Sequence, residues 1–557
     1  MAGTTQRQPP YGPRGSFTPK LVTTFWEGYG LKAFRNDALA GLTVAVIALP
    51  LAMALGIASG ASPDRGLITA IVAGFTVSAL GGSRVQIGGP TGAFVVVIFN
   101  VIALHGYDGL ILATALAGII LVIAGYAGLG GIIRYIPQPV IIGFTAGIAV
   151  IIATSQIQNL FGLAITDLPA GFLEKWEAYL GALTTIDRAS TALGLAILAL
   201  IIIMQRFVPR LPAFLVAIIA GSIAVPAFGL DVDTIGSHFP SMSTGLSLPS
   251  FPDLSLAKAQ EVLPSAFTIA FLAGIEALLS CVVADGMTGF RHRSNQELVG
   301  QGAANIASAM FGGLPATGAL ARTAANIKAG GRTPVAGIFH SAFLLLFVLL
   351  ASDLMAFVPM AVLAAVLLMV AWGMSEARRF LFLLRMPAAE RAILLLTFLL
   401  TVLIDLTVAI GVGVTLASLT FMARMSEAAG VRPDDIGEED VSQRERLPAG
   451  VEVFRINGPF FFGVASELLD ILKRIGTAPK AIILRLEEVS FIDASGSIAL
   501  REFLEQAGSA GIKIVLCAIP TDQRPIVESL HDPEKPPPLM APDFEAALRL
   551  AAALPDQ

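Results

Sequence analysis

Long apolar runs alternate with short polar ones along most of the chain, and the runs have the length of membrane spans. Residues 39–58 include no ionisable side chain, and 335–352 include none but His340. A helix needs roughly 20 such residues to cross a hydrocarbon layer about 30 Å thick. The pattern predicts fourteen membrane segments, near 39–58, 66–81, 91–104, 110–127, 138–155, 190–205, 211–228, 264–284, 297–312, 317–329, 335–352, 358–374, 389–405 and 407–424. An even number places both chain ends on one side. The segments at 91–104 and 317–329 are too short to span alone.

Charge between the segments orients them. Arg206, Arg210, Arg291, Arg293, Lys328, Arg332, Arg378, Arg379, Arg385 and Arg391 all fall on the side of the N-terminus. The two long opposite loops, 156–189 and 229–263, are acidic instead (Asp167, Glu174, Glu177; Asp231, Asp233, Asp253). Positive charge collects on the cytoplasmic face. Both termini are therefore expected in the cytoplasm, with the protein multi-pass in the inner (plasma) membrane. Residues 1–36 are polar, with Pro9, Pro10 and Pro13, and lack the apolar stretch of a signal peptide. His105, Asp285, Glu297, Glu390 and Asp405 read as loop or segment-boundary residues.

After Met425 the pattern changes. Residues 427–448 read as a polar, acidic linker. Beyond it VEVFRI (451–456), AIILRL (481–486) and IKIVLCAI (512–519) are strand-like. Amphipathic stretches at 464–475, from Ala494 and at 542–553 lie among them, with a loop at Pro536, Pro537 and Pro538. Alternating strands and helices predict a small soluble α/β domain over 449–554. The membrane domain occupies 37–426. The expected fold is thus membrane all-α followed by a cytoplasmic α/β domain.

Composition agrees: 55% of the 557 residues are hydrophobic and 14% charged, far from a soluble protein. The net charge of −5 adds little. Cys281 lies in an apolar span and Cys517 in the tail, so neither a disulfide nor a metal site is expected, and no cofactor or nucleic-acid partner is indicated.

The membrane part repeats internally. ALGGSRVQIGGPTGA (79–93) matches AMFGGLPATGA (309–319), with Thr91 and Thr317 226 positions apart; RYIPQPV (134–140) matches AFVPMAV (356–362), with Pro137 and Pro359 222 apart. Pro50 lies 226 before Glu276. Seven segments repeat as seven, and because seven is odd the second copy is inverted. Inverted repeats belong to alternating-access transporters. The two short segments occupy equivalent places and begin with Gly/Pro-rich stretches. Each helix start carries unpaired N–H groups and the positive end of its dipole. Facing each other, they would make an anion site from Gly89, Pro90, Thr91, Gly92, Ala93, Ala316, Thr317, Gly318, Ala319 and Leu320. The threonines offer hydroxyls; the glycines either let a ligand approach or let helices pack closely.

Glu276 sits among apolar neighbours in IAFLAGIEALLSCVV. A carboxylate there has to be neutralised, paired or wetted. One that can be neutralised can carry a proton; the other reading is a structural carboxyl. Ser280 shares its helical face. Arg322 either adds charge beside the anion site or snorkels to the cytoplasmic surface.

RNDALAGLTVAVIALPLAMALGIASGASP (35–63), GGPTGA, PATGALART and GFTAGIAVIIATSQIQNLFG (143–162) together resemble the sulfate permease (SulP) family of anion transporters. FIDASG (491–496) resembles the loop of a STAS domain. The resemblance implies a 7+7 inverted repeat with core and gate domains, the core holding spans 1–4 and 8–11, and a homodimer. It also implies an anion site between the third and tenth spans, at Gly89–Ala93 and Ala316–Leu320. Three departures stand out. Leu51 and Leu55 replace the polar and aromatic residues of many relatives, which makes the pocket more apolar. Glu276 and Ser280 replace the Asp and Thr of sodium-coupled relatives. Ala494, followed by Ser495, occupies the phosphoacceptor position of anti-sigma antagonists.

The expected function is proton-coupled symport of an oxyanion or C4-dicarboxylate (sulfate, bicarbonate, or the fumarate and succinate class), with H+ on Glu276. Electroneutral anion exchange, sodium coupling, a membrane-anchored STAS regulator and nucleobase transport are the alternatives. A cytoplasmic protein is a further possible partner of the STAS domain.

Overall fold

The computed structural model describes residues 17–131, 137–165, 168–169, 171–208, 211–239, 249–250, 255–404, 406–433, 447–461, 464, 468, 479–530 and 538–554. They form two compact units, Met1–Val414 and Thr415–Gln557.

In the first unit the apolar runs become helices: α1 (Lys20–Trp26), α2 (Leu31–Ala58), α3 (Pro63–Leu80), α4 (Phe94–Tyr126), α5 (Gln138–Ser155), α6 (Ile157–Phe161), α7 (Phe172–Gly181), α8 (Arg188–Phe207) and α9 (Ala213–Phe228). They continue as α10 (Ile235–His238), α11 (Leu256–Thr288), α12 (Ser294–Met310), α13 (Leu320–Lys328), α14 (Val335–Ala351), α15 (Met360–Met374), α16 (Ala377–Leu383), α17 (Ala388–Leu403) and α18 (Leu406–Ala428), the last crossing into the second unit. Among the described residues seven helices are long and apolar enough to cross a membrane, and α9 and α14 are shorter apolar ones. Large apolar side chains such as Phe207, Phe228, Leu350 and Trp372 stand exposed, as lipid-facing residues do.

Two groups of helices pack among themselves. One joins α2, α3, α4, α11, α12, α13 and α14; the other joins α5, α8, α9, α15 and α17. They match the core and gate division, because each group draws helices from both halves of the sequence. Within the core α4 and α12 approach closely at Gly118 and Gly302: a Cβ on either would lie 2.6 or 2.5 Å from the other's carbonyl oxygen. Any side chain there would force the helices apart.

Three local readings change. The segments expected at 91–104 and 110–127 run together as α4, which turns at Gly106 (φ 69°, ψ 179°), a conformation open to glycine. No loop forms, and His105 sits beside that turn with its ring nitrogen 3.1 Å from Glu261. Glu297 is no boundary residue. It is fully buried, and its carboxylate accepts from the Gly82 and Ser83 N–H groups and the Gln301 amide. Four residues of the expected linker, Gly430–Pro433, form a strand; the rest of its acidic stretch, most of 464–475, Asp405, and Pro536 and Pro537 lie outside the described residues.

The second unit is a five-stranded sheet in the order β3–β4–β5–β6–β7: Gly430–Pro433, Val451–Phe460, Ala481–Ile492, Lys513–Cys517 and Leu539–Ala541. The first pairing is antiparallel and the other three are parallel. Parallel strands need both faces covered. Phe460, Leu484, Leu500 and Phe503 fill one apolar cluster, with α19 (Ala494–Ser509); Val453, Ile483, Val515 and Ala551 fill another, with α21 (Phe544–Ala552). The short α20 (Arg524–Ser529) lies between α19 and α21 in sequence.

Candidate functional site

The Gly/Pro-rich stretches meet. Gly88–Gly89 (β1) and Thr317–Gly318 (β2) pair antiparallel, Gly88 opposite Gly318 and Gly89 opposite Thr317. The Ala319 N–H donates to the Ile87 carbonyl at 2.8 Å. Just beyond these strands α4 begins at Phe94 and α13 at Leu320. Ala93 and Ala319 stand at their N-caps, and no side chain caps either helix. Ala93, Ala316, Thr317 and Ala319 are buried. Two helix starts therefore lie beside one strand pair; at α4 the Phe94 and Val95 N–H groups donate to the Thr91 and Gly92 carbonyls at 3.2 and 3.1 Å, and no side chain serves the first turn of either helix.

Amides hold this arrangement from behind. Asn305 of α12 grips both sides of Ala316, donating to its carbonyl at 2.8 Å and accepting from its N–H at 2.9 Å. Asn326 of α13 donates to the Val85 carbonyl at 2.8 Å. The Ile87 N–H donates to the Thr323 hydroxyl at 3.1 Å. Asp37 of α2 accepts from Thr333 and from the Arg332 N–H, fixing the start of α14. These clamps were missed in sequence. The signal was present: polar residues inside apolar runs survive only with partners.

The arginine lies inside. Arg322 is 2% exposed, which excludes snorkelling. Its Nη2 donates to the Pro90 carbonyl, while Nε and Nη1 have no hydrogen-bond partner among the described residues. Gly89 makes room for it: φ is +147°, and a Cβ there would lie 2.3 Å from Nη1. A buried guanidinium with idle donors calls for an acceptor.

Both threonine hydroxyls turn toward α11. Thr91 donates to Glu276 Oε2 at 2.9 Å, and Thr317 donates to the Ala273 carbonyl at 2.8 Å. In this conformation α11 engages both hydroxyl protons. Glu276 is half-buried and joined to the first helix start through Thr91. Ser280 does not join it; its hydroxyl donates to Thr323 on α13 at 3.4 Å. The glycines also permit close packing. A Cβ on Gly318 would lie 1.5 Å from Gln86 Nε2, and one on Gly92 2.4 Å from the Met374 sulfur. Leu51 and Leu55 are buried in the main apolar cluster.

The comparisons with known proteins fit this geometry. Residues 34–397 match the sulfate permease family, and residues 446–531 match the STAS domain. The chain belongs to the sulfate permease family. The sulfate permease match takes in the whole of the paired-start site and Glu276, and it places the protein among transporters rather than enzymes. A Bacillus subtilis (strain 168) protein, YvdB, whose name assigns it provisionally to sulfate transport, is 38% identical over 508 residues, 91% of this chain and 95% of its own. The Bicarbonate transporter BicA of Picosynechococcus sp. (strain ATCC 27264 / PCC 7002 / PR-6) is 34% identical, over 85% of this chain and 86% of its own. Among solved structures, the transmembrane domain of a cyanobacterium bicarbonate transporter BicA aligns with a TM-score of 0.62 at 33% identity, covering 68% of this chain and 98% of that one. SLC26A9 shares the fold with a TM-score of 0.81 at 18% identity, over 96% and 92% of the two chains.

Proposed function

We propose that this sulfate permease family member is a secondary active transporter that carries a small anion by alternating access, with the anion bound at the starts of α4 and α13. The observation that carries the reading is the pair of uncapped helix starts beside the idle donors of buried Arg322. Backbone N–H groups, two dipole ends and one guanidinium make a positive site that needs no ligand of its own. The proposed ligands are Gly89, Pro90, Thr91, Gly92 and Ala93 with Ala316 to Leu320, and Leu51 and Leu55 make the wall apolar.

Coupling is to protons through Glu276, whose hydrogen bond from Thr91 links protonation to the shape of the first helix start. Co-transport follows when protonation and anion binding each favour the same occluded state. The substrate is an oxyanion or C4-dicarboxylate; relatives named for sulfate and bicarbonate support the first class. The protein works as a homodimer in the plasma membrane with both termini cytoplasmic, and a cytoplasmic protein is a possible partner of its STAS domain.

The test is uptake of labelled sulfate, bicarbonate and succinate by full-length protein in liposomes, with and without an imposed pH gradient. Accumulation driven by the gradient is expected. Counterflow indifferent to pH would make the protein an exchanger, and movement of none of the three would sink the anion reading.

A further inference from the structure

The α7 helix joins the gate group by packing on α5 and α17. Its inner face carries Lys175 and Tyr179, one turn apart and both buried. The Lys175 ammonium lies 5.0 Å from the centroid of the Phe99 ring on α4, which belongs to the core group. Burial holds the Lys175 amine below the usual lysine range, and it has no carboxylate partner among the described residues.

Phe99 lies on α4 between its start and the Gly106 turn. It lies roughly 7 Å along α4 from Phe94, at 1.5 Å per residue, on the way to the Gly106 turn. A Cβ on Gly60, in the turn joining α2 to α3, would lie 3.2 Å from its ring, so this turn seats the ring. The Arg65 guanidinium at the start of α3 lies 5.3 Å from the Tyr107 ring centroid, just past the Gly106 turn. These elements define one end of the bundle, the distal mouth.

We propose that Lys175 is a positioning residue of the transport cycle. Resting on Phe99, it closes the distal mouth between gate and core; once that contact parts, its ammonium draws an anion in from that side. The inference rests on the anion-transport reading. A cation over a ring is held by the ring's negative face. Without a carboxylate of its own, the released ammonium is free to attract a visiting anion. Core and gate also meet at an apolar contact of Gly92 with Met374, whereas here a charge spans the two groups.

The test uses full-length protein in liposomes and labelled sulfate and bicarbonate, with half-saturation measured separately at each face. Lys175→Met is expected to raise the distal half-saturating concentration at least about threefold, leaving the opposite face unchanged. Lys175→Arg, which keeps the charge and stacks on the ring, brings it back within about twofold. Phe99→Leu keeps the ammonium and leaves distal half-saturation unraised. Joining Lys175→Cys to Phe99→Cys with a short cleavable thiol cross-linker stops transport, and cleavage restores it; the native Cys281 and Cys517 are buried. Unchanged distal half-saturation in Lys175→Met, or parental transport by the cross-linked protein, overturns the proposal. If neither anion moves, the transport reading itself has failed. The closing contact is then judged alone, by acylation of Lys175 with a membrane-impermeant amine reagent. Faster acylation in Phe99→Leu upholds the contact, and equal rates reject it.

Discussion

Helix starts in the soluble domain and helix starts at the paired strands solve the same problem differently. In the STAS domain Asp493 accepts from the Gly496 N–H at 2.7 Å, and Asp543 accepts from the Ala546 N–H at 2.7 Å. Each helix brings its own carboxylate to its own positive end. At α4 and α13 the cap positions are Ala93 and Ala319, which have nothing to offer. Other membrane helices also lack side-chain caps, but α5, α9 and α15 start after Pro137, Pro212 and Pro359. The pair at the site is different because both starts are interior and a buried arginine points between them. A cap is a resident anion; its omission at two adjacent buried starts leaves room for a visitor.

The comparison breaks most sharply if the site is given a resident anion. Ala319 has an extended backbone (φ −88°, ψ 109°), the conformation an N-cap adopts. Ala319→Asp is expected to cap α13 and occupy its positive end, weakening anion binding roughly tenfold or more through the dipole and desolvated charge. Half-saturation of uptake in liposomes measures it, with the melting temperature checking the fold. Parental affinity in a folded Ala319→Asp protein would show that the uncapped start is not the site.

Glu276→Gln sharpens the comparison from the other flank. The amide oxygen can still accept from Thr91, whose 2.9 Å bond ties α11 to the first helix start, but the side chain no longer takes up a proton. Accumulation against a gradient should vanish while downhill anion movement persists at a reduced rate. Undiminished pH-driven accumulation would return Glu276 to a purely structural role.

Much of this was legible in the sequence. Apolar runs located the long helices, and the offset between GGPTGA and PATGA matched the two starts before the strands paired them. The strand-like runs after residue 449 became the parallel core of the sheet. What stayed hidden depends on contacts between residues far apart in sequence. Nothing local says that Asn305 will grip Ala316, or that Glu297 will be buried on Gly82 and Ser83 rather than left at a boundary. Arg322 lies within two turns of the polar end of α13, so whether it turned outward or inward depended on the space Gly89 leaves. Nothing local says that Met374 and Gln86 will fill the space beside Gly92 and Gly318. The turn at Gly106 was missed because apolar residues continue on both sides of it, and periodicity has no signal for a single left-handed residue.

The smallest expected effect completes the comparison from the soluble side. Asp493→Ala removes a resident cap where no visitor is wanted, so it should cost about 1 kcal/mol locally. Measured in the full-length protein by hydrogen exchange, that is roughly a fivefold loss of protection for the first-turn amides of α19. Anion half-saturation should not move, because Asp493 serves only the start of its own helix. The contrast matters more than the size. Losing a cap in the STAS domain lowers order without touching transport, and adding one at Ala319 weakens anion binding while preserving order. If Asp493→Ala shifted anion affinity as strongly as Ala319→Asp, capping would be altering the whole protein in both places, and the distinction between a served and an unserved helix start would fail.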